Sequence, residues 1–271
     1  MENYSVLMSV YAKEKAEYFE KSIESMLEQT IPTDDFVIMC DGPLTEELDS
    51  VLEKMTDKYP DLFQIVRLKT CGGLGNALKE GVIHCKNELI ARMDSDDISC
   101  QDRCEKQLAV FEKEDVVIVG GNVTEFVQDI SHVRSVRRVP KTNEEIRAFA
   151  KRRNPFNHPS VMFRKSVVLA AGNYIDCKGF EDYYLWVRIL NAGYKGFNIL
   201  ETLVYMRTDA GLYERRGNLS YAIKGLQARW KIHKTGYSSL VDFIISSGAQ
   251  VVMSLIPVKL RTQVYGKFLR K

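Results

Sequence analysis

The chain has 271 residues, which is enough for one large domain or two modest ones with a well-buried core. Hydrophobic residues make up 45% of the chain and charged residues 27%, close to the averages of folded soluble proteins, so the composition excludes a disordered or fibrous chain. The first apolar run has no basic region before it, which argues against a secretory signal peptide. The six cysteines include no C-x-x-C pair, and we expect free thiols in a reducing cytoplasm.

Charge is distributed unevenly along the chain. From Arg215 onward there are eleven Lys and Arg residues and a single acidic residue, Asp242, whereas residues 1–214 hold 27 basic and 35 acidic residues. Such a basic C-terminal segment favours an anionic partner. Because its basic residues are interspersed with long apolar stretches and match no nucleic-acid-binding motif, an anionic membrane surface is predicted and nucleic acid is not.

The first hundred residues alternate between two hydrophobic periodicities. Four apolar runs are predicted to be strands: Tyr4–Val10, Phe36–Cys40, Phe63–Leu68 and Glu88–Met93. Three amphipathic segments between them are predicted to be helices: Ala16–Gln29, Leu44–Lys58 and Gly75–Cys85. This alternation predicts an α/β domain with a parallel sheet and helices on both faces. Ligands of such sheets bind beyond the carboxyl ends of the strands, where Asp41 and Asp94 lie.

The second half of the chain has shorter and less regular elements. Strands are predicted at Val116–Val119, Ser160–Phe163 and Thr202–Arg207. Helices are predicted at Thr142–Lys151, which begins with a Thr-x-x-Glu capping box, and at Tyr183–Ala192. The domain is predicted to end near Leu212, with two halves at 1–97 and 98–212 and a helical extension at 213–271.

The sequence Asp94-Ser95-Asp96 at the end of the fourth strand is the strongest local signal. Two carboxylates at this spacing can present oxygens to one Mg²⁺ or Mn²⁺, which takes one or two carboxylates together with substrate phosphates. An acidic turn that caps the next helix is the simpler alternative. Glu181-Asp182 has the same ambiguity, because two acidic residues at a helix start are also typical of capping.

The order of these segments resembles the glycosyltransferases of family 2, which have the GT-A fold. The resemblance covers roughly residues 4–210. It depends on segments that match the first strand, the end of the second strand, the glycine-rich turn, the DxD region, the acceptor-side strand and the acidic-pair helix of that family. These segments are Ser5–Tyr11, Ile38–Gly42, Gly72–Gly81, Leu89–Ile98, Asn157–Lys165 and Gly179–Leu190.

The resemblance implies a role for each matching residue. Ser9 and Tyr11 would line the nucleotide pocket, and Asp41 would accept a hydrogen bond from the base. Three residues of the DxD region would bind the donor, with Asp96 as the principal metal ligand assisted by Asp94: Arg92, Asp94 and Asp96. Asp182 would be the general base.

Two departures from the family pattern concern the donor site. Ala12 stands where many members have Asn, and a single Asp41 replaces a common Asp-Asp. A third departure concerns the metal, since no His follows the last predicted strand, where Thr208 and Asp209 stand instead.

The function implied by the resemblance is inverting, metal-dependent transfer of a hexosyl or N-acetylhexosaminyl group. The expected donor is a UDP-sugar, and the expected acceptor is an oligosaccharide or lipid-linked glycan of a bacterial surface polysaccharide. One alternative is a metal-dependent sugar nucleotidyltransferase, which would release pyrophosphate. Another is a non-catalytic subunit that binds nucleotide sugars. Arg215-Arg216-Gly217 is interpreted either as a lid over the diphosphate or as a solvated turn.

The C-terminal extension is predicted to lie on the cytoplasmic face of the cell membrane. Ser239–Ile256 is apolar, but Asp242, Gly248 and Gln250 interrupt it, so a membrane-spanning helix is not expected. Apolar residues then recur every four positions, at Val252, Ile256, Leu260, Val264 and Phe268. With basic residues among them, they suit a helix in the membrane interface. Packing against the catalytic domain or a dimer partner is the alternative, and the oligomeric state is left open.

Overall fold

A computed structural model describes residues 2–208 and 217–257. Nine strands run as follows: β1 Tyr4–Val10, β2 Asp35–Cys40, β3 Phe63–Arg67, β4 Leu89–Asp94, β5 Ile98–Ser99, β6 Ile118–Val127, β7 Asp129–Arg137, β8 Met162–Arg164 and β9 Gly196–Arg207. The helices are α1 Ala16–Leu27, α2 Glu46–Lys58, α3 Leu74–His84, α4 Arg103–Lys113, α5 Asn143–Ala150, α6 Lys165–Ala170, α7 Glu181–Asn191, α8 Leu219–Lys234 and α9 Leu240–Leu255.

The strands form one sheet in the order β3-β2-β1-β4-β8-β6-β9-β5, with β7 added to β6. The four strands of the first half are parallel, as their alternation with helices predicts. The short β8 then runs antiparallel to both β4 and β6, and β9 runs parallel to β6. The predicted α/β fold with a largely parallel sheet is therefore confirmed, and every antiparallel pair includes a strand from the second half.

Alternating side chains of β1 enter two different cores, one on each face of the sheet. Val6 and Met8 pack with residues of α1, α2 and α4 on one face. Leu7 packs on the other face with residues of α3, α5, α6 and α7, where Trp186 is the largest buried side chain. Since both faces are covered, β1 consists of apolar residues and two serines, and it contains no charged residue.

Two predicted strands of the second half were shorter than the observed ones, whereas the strand predicted at Ser160–Phe163 is observed as Met162–Arg164. The strand predicted at Val116–Val119 extends instead over Ile118–Val127, and the one predicted at Thr202–Arg207 begins at Gly196. Gly120 and Gly121 interrupt the apolar pattern, yet a β-carbon at Gly121 would lie 2.5 Å from Leu203 Cδ1 across the strand pair. The close packing between β6 and β9 therefore requires glycine in β6. The same glycines interrupt the apolar pattern from which the strand would have been predicted.

Four elements were not predicted, namely β5, β7, α4 and α6. Helix α4 was obscured because Arg103 and Gln107 lie on its buried face among Cys104 and Leu108. Arg103 donates hydrogen bonds to the backbone oxygens of Arg92 (2.7 Å) and Val161 (3.2 Å), so its charge is accommodated inside the domain. The capping box predicted for α5 is confirmed, with Thr142 and Glu145 as its members.

Helices α8 and α9 pack on the domain beside α7, where Ile232 of α8 joins a small core with Tyr183 and Val187. The two helices also pack closely on each other, because a β-carbon at Gly225 would come 2.5 Å from Gln250 Cγ. The helical character predicted for the extension is confirmed for residues 219–234 and 240–255. The predicted domain boundary at Leu212 lies outside the described residues, as do Arg215, Arg216 and the apolar positions Leu260, Val264 and Phe268.

Candidate active site

Asp41 lies just beyond β2 and holds the glycine-rich turn that precedes α3. Its carboxylate accepts hydrogen bonds from the backbone N–H groups of Gly72 (2.7 Å) and Gly73 (2.9 Å), and from the Cys71 thiol (3.2 Å). Gly42 has φ +88°, and a β-carbon there would lie 2.9 Å from Cys71 N, so the two turns touch through glycine. Asp41 therefore organises the backbone at this edge of the sheet in addition to any contact with a ligand.

Ser9 and Tyr11 lie at the end of β1, beside the DxD region. Ser9 is paired with Asp94 in the register of the parallel strands β1 and β4. Tyr11 follows the strand and is 44% exposed, and its backbone oxygen accepts a hydrogen bond from Glu14 N–H (3.0 Å). Both predicted nucleotide-pocket residues are thus at the same edge of the sheet as Asp41 and Asp94.

Arg92 and Asp94 form a partly buried ion pair at the end of β4. Arg92 is only 1% exposed, and its Nη1 donates to Asp94 Oδ2 at 2.7 Å while Nη2 donates to Oδ1. A bidentate pair of this kind fixes the position of both side chains. Because both Asp94 oxygens accept from Arg92, Asp94 has less negative charge available to a cation than its neighbour Asp96.

The carboxyl groups after Asp94 lie in surroundings that disfavour their ionised forms. Burial, followed by the charges of Asp94 and Glu14, raises the pKa of Asp96 to about 7. Burial and the charges of Asp96 and Asp94 also raise the pKa of Asp97 well above its usual range. Asp97 Oδ1 accepts the Arg207 backbone N–H (2.8 Å), but the buried Oδ2 has no hydrogen-bond partner. An excess of buried negative charge is the electrostatic condition that a bound cation relieves.

Within residues 2–208 and 217–257, no group of three or more His, Cys, Asp or Glu side chains is arranged to hold a metal ion. Mg²⁺ and Mn²⁺ do not need such a group, because they are usually bound by one or two carboxylates together with substrate phosphates. The residues present fit that mode, with Asp96 half-buried and its charge not paired with a cation as that of Asp94 is.

Arg207, the last residue of β9, fastens the DxD loop from the opposite side. Its Nε donates to the backbone oxygen of Asp96 (3.0 Å), and its guanidinium lies 3.8 Å above the Tyr18 ring and 4.6 Å from that of Phe126. A planar cation held between two rings and a carbonyl has little freedom to move. The conformation of the loop after β4 is therefore set by α1, β6 and β9 together.

Asp182 lies in the first turn of α7 and faces the same cavity as Asp94. Its Oδ2 accepts a hydrogen bond from Asn154 Nδ2 at 2.6 Å. Burial raises the pKa of Asp182, and this effect is opposed by the Tyr183 backbone N–H, by Asn154 and by the charges of nearby arginines. An isolated carboxylate with a raised pKa beside a cavity is typical of a group that accepts a proton.

The first turns of α3 and α7 meet at Gly75. A β-carbon at this position would lie 2.7 Å from Glu181 Cγ, so only glycine permits the close approach. This contact brings the glycine-rich turn of the first half against the acidic pair of the second half. The residues predicted for the donor and for the base are thereby brought to one cleft, although 88 positions separate Asp94 from Asp182.

Several residues of the site were not predicted from the sequence. Glu14 accepts a hydrogen bond from Ser95 Oγ (3.2 Å), Asn154 orients Asp182, and Arg137 adds positive charge beside Asp182. None of them belongs to a recognisable motif. The only local signal is that Asn154 precedes Pro155, since a residue before proline favours a turn or an extended conformation.

Comparison with known proteins identifies the family. The model of "Glycosyl transferase family 2" matches residues 5–170. The chain is 34% identical to an Escherichia coli UDP-Gal:alpha-D-GlcNAc-diphosphoundecaprenol beta-1,3-galactosyltransferase, over 99% of this chain and 97% of that protein. It is 35% identical to an amylovoran biosynthesis glycosyltransferase of Erwinia amylovora, over 97% of this chain and 98% of that protein.

The fold matches a solved structure at low sequence identity. A mannosyltransferase from Pyrobaculum calidifontis, in complex with GDP-Man and Mn²⁺, superposes with a TM-score of 0.66 at 14% identity. The alignment covers 98% of this chain and 79% of that chain. With the family match over most of the domain and relatives aligned over nearly their full length, the chain belongs to glycosyl transferase family 2.

Proposed function

We propose that the protein is an inverting, metal-dependent glycosyltransferase that moves a hexosyl or N-acetylhexosaminyl group from a UDP-sugar to a hydroxyl group of a lipid-linked glycan. The product would be an intermediate of a bacterial surface polysaccharide. The observation that carries the proposal is one cavity of about 640 Å³ that is lined by both Asp94 and Asp182. A single displacement at the anomeric carbon needs one group that binds the donor and a separate base for the acceptor hydroxyl. Asp94 and Asp182, at one cavity, match these two requirements.

The donor is assigned to the edge formed by the ends of β1, β2 and β4. Ser9, Tyr11 and Asp41 would surround the nucleotide, and the Arg92–Asp94 pair would hold the ribose and diphosphate end. Support comes from the register that sets Ser9 beside Asp94 and from the contact between Asp41 and the glycine-rich turn. The choice of UDP rests on the E. coli relative, whose name specifies UDP-Gal.

A divalent cation, Mn²⁺ or Mg²⁺, is assigned to Asp96 with assistance from Asp94. When bound, it would supply positive charge to the leaving diphosphate. The excess negative charge around Asp96 supports this assignment, as does the Mn²⁺ in the complex of the Pyrobaculum mannosyltransferase.

Asp182 is assigned as the general base. Inversion requires the acceptor oxygen to attack the anomeric carbon from the face opposite the leaving diphosphate, and the base removes the hydroxyl proton as that bond forms. A positioned base typically contributes about 10²–10⁴-fold. The hydrogen bond of 2.6 Å from Asn154 to Asp182 Oδ2 would fix the orientation of the carboxylate and thereby the position of Oδ1.

Helix α9 is assigned as the element that contacts the cytoplasmic face of the membrane. Unlike an ordinary surface helix, it has polar residues on its buried face and apolar residues on its exposed face. Its buried residues are polar, namely Asp242, Ser246, Ser247 and Ser254. Its exposed residues are apolar, namely Leu240, Val241, Ile244, Ile245, Val252 and Leu255. An apolar face of this extent calls for an apolar partner.

A bilayer is preferred over a protein partner for α9 because the chain beyond it is basic. Lys259, Arg261, Lys267, Arg270 and Lys271 follow in sequence. Neither α9 nor any other helix within residues 2–208 and 217–257 has the length and apolar content that a bilayer crossing requires. Attachment along the cytoplasmic surface is therefore the proposed mode.

Thermal unfolding with a panel of nucleotide sugars, with and without Mn²⁺, tests the donor assignment. We expect a UDP-sugar to raise the melting temperature in the presence of Mn²⁺ and to have little effect in EDTA, since only the folded protein binds. Incubation of that donor with a glycan–lipid acceptor should then release UDP. Release of pyrophosphate would indicate a nucleotidyltransferase, and binding without any transfer would indicate a non-catalytic subunit.

A further inference from the structure

His158 lines the same cavity as Asp94 and Asp182. It begins a short 3-10 turn at residues 158–160, which leads into β8. Strand β8 pairs with β4, and the Arg92 backbone N–H donates to the Val161 oxygen (3.0 Å), so the turn is held beside the strand that carries the DxD region. The backbone therefore brings an imidazole ring to the cavity where the donor and the base are assigned.

The His158 ring is held in one orientation by two buried aromatic residues. Its Nε2 forms a hydrogen bond of 3.0 Å with the Tyr174 hydroxyl, and its ring packs edge-on against Trp186 with the centroids 6.1 Å apart. Its other nitrogen, Nδ1, forms no hydrogen bond with the described residues, yet it is not sealed inside the protein. Nδ1 is therefore the polar atom of the ring that a ligand in the cavity can reach.

The ring is suited to bind a neutral group. Burial, followed by the charge of Arg92, holds the pKa of His158 well below its usual range, so the imidazole is neutral at pH 7. Burial also raises the pKa of Tyr174, whose hydroxyl keeps its proton. When that hydroxyl donates to Nε2, the imidazole proton lies on Nδ1. An uncharged N–H donor of this kind matches the hydroxyl oxygen of a sugar.

The charges that act on the ring place it on the donor side of the cavity. Arg92 is the charged residue that lowers the pKa of His158, whereas Asp182 acts on Tyr174 behind it. The transferred sugar must lie between the diphosphate, which is assigned to the Arg92–Asp94 pair, and the acceptor hydroxyl, which is assigned to Asp182. A ring that lines the same cavity near Arg92 is adjacent to that space.

We propose that His158 is a specificity-determining residue that donates a hydrogen bond from Nδ1 to a hydroxyl group of the transferred sugar, with Tyr174 as the residue that positions its ring. The inference rests on the proposed function and deepens it, since it assigns a contact with the sugar instead of the nucleotide. A donor that lacks the hydroxyl group would leave the N–H without a partner, and this is how such a site rejects the wrong sugar.

The test compares UDP with a UDP-sugar as ligands of the full chain, by calorimetric titration in the presence of Mn²⁺. The UDP-sugar is the one among UDP-galactose, UDP-glucose and the two corresponding UDP-N-acetylhexosamines that raises the melting temperature most. Because both ligands share the nucleotide and the diphosphate, the ratio of their dissociation constants reports contacts with the sugar. His158→Leu should weaken binding of the UDP-sugar about fivefold or more, as expected for one lost hydrogen bond, and leave UDP binding within about twofold.

Two further variants separate the loss of a hydrogen bond from a loss of packing. His158→Asn places an amide N–H near the position of Nδ1 and should recover most of the affinity that His158→Leu loses. Tyr174→Phe keeps an aromatic ring beside Trp186 but removes the hydroxyl that holds Nε2, so it should weaken the UDP-sugar about twofold to fivefold without an effect on UDP. Equal weakening of both ligands in these variants would show a structural role of the ring and would overturn the proposal.

His84→Leu is the matched control. His84 is exposed at the last position of α3, at the edge of the sheet opposite to the glycine-rich turn where that helix begins. The control should bind UDP and the UDP-sugar as the unchanged chain does. A ratio in His158→Leu equal to that in His84→Leu would sink the inference, and so would a rise in the acceptor KM alone, because the ring would then contact the acceptor.

The two proposals fail in distinguishable ways. If the UDP-sugar binds and its sugar is transferred, but His158→Leu and Tyr174→Phe leave the ratio of dissociation constants unchanged, only the assignment of His158 is wrong. If the unchanged chain neither binds nor transfers from any nucleotide sugar, the proposed function itself is wrong.

Discussion

Asp182 is the residue on which the proposed transfer depends most directly. Replacement by Asn keeps the shape of the side chain but removes the proton acceptor, so we expect kcat to fall at least about 10²-fold. The affinity for donor should stay within about twofold, since Asp182 lies in the second half of the domain. Steady-state rates and titration with UDP-sugar measure the two effects. Asp115→Asn, at a side chain that is 93% exposed, is the control. Near-normal turnover of Asp182→Asn would show that Asp182 is not the general base.

The raised pKa of Asp182 predicts the acid side of the pH profile. A base acts in its ionised form, so kcat/KM for acceptor, at saturating donor and Mn²⁺, should decline as the pH falls through this pKa. Because burial raises that pKa, the decline should begin closer to neutrality than for an exposed aspartate. Asn154→Ala removes a hydrogen bond that favours the ionised form and should move the decline to higher pH. Movement to lower pH would contradict this account.

Asp96 is expected to lower the stability of the cation-free protein. Its folded pKa of about 7 exceeds its ordinary value, so the folded state loses stability as the pH rises between those two values. In EDTA at pH 8, Asp96→Asn should therefore raise the free energy of unfolding by roughly 1–3 kcal/mol, with little change near pH 4. Thermal or denaturant unfolding at the two pH values provides the measurement. A lower melting temperature of Asp96→Asn at pH 8 would show that the charge is compensated.

At the scale of elements, α9 combines a fixed inner face with an outer face that residues 2–208 and 217–257 leave exposed. Arg152 holds Asp242, which also belongs to the capping box that begins the helix. Gln250 packs on Gly225 of α8. The polar residues of α9 face the domain and Phe243 packs against Trp230 and His233 of α8, whereas most of the other large apolar residues of the helix are exposed.

That geometry predicts the effect of replacing apolar residues on α9. The double variant Val241→Ser, Ile244→Ser should weaken binding to anionic lipid vesicles at least about tenfold, because two side chains that are 60% and 59% exposed lose their apolar contact with lipid. Co-sedimentation with vesicles measures the partition. Ile83→Ser, at a side chain of α3 that is 55% exposed, should leave it unchanged. Loss of a dimer in sedimentation, with vesicle binding intact, would show that α9 binds a second copy instead.

At the scale of the whole molecule, the uneven charge predicts how membrane binding depends on salt. The segment from Arg215 onward is strongly basic and residues 1–214 are acidic, so attraction to anionic lipid should come from the C-terminal part. Raising the salt concentration from about 0.05 to about 0.5 M should weaken vesicle binding severalfold, since the Debye length shortens. A chain truncated after Tyr237 should lose most of its binding. Unchanged partitioning of the truncated chain would exclude the extension as the anchor.

Much of the first half of the fold could be predicted from local patterns. The bounds of β1 are those predicted, and β2, β3, β4, α2 and α3 differ by no more than two residues at either end. The second half was harder to predict because some of its buried faces contain polar residues or glycine. Helix α4 buries Arg103 and Gln107, and β6 contains the Gly120-Gly121 pair. In both cases the tertiary neighbours, not the local pattern, determine the conformation.

The sequence alone determined the parallel α/β half of the domain and the places where its strands end, because alternating apolar and amphipathic segments leave few other arrangements. It also pointed to Asp94, Asp96 and Asp182 through their resemblance to a family. Only the tertiary structure decided that Arg92 pairs with Asp94, that Asn154 holds Asp182, and that His158 lines one cavity with both carboxylates. Such contacts join residues far apart in the chain, and no local periodicity encodes which side chains meet once the layers have packed.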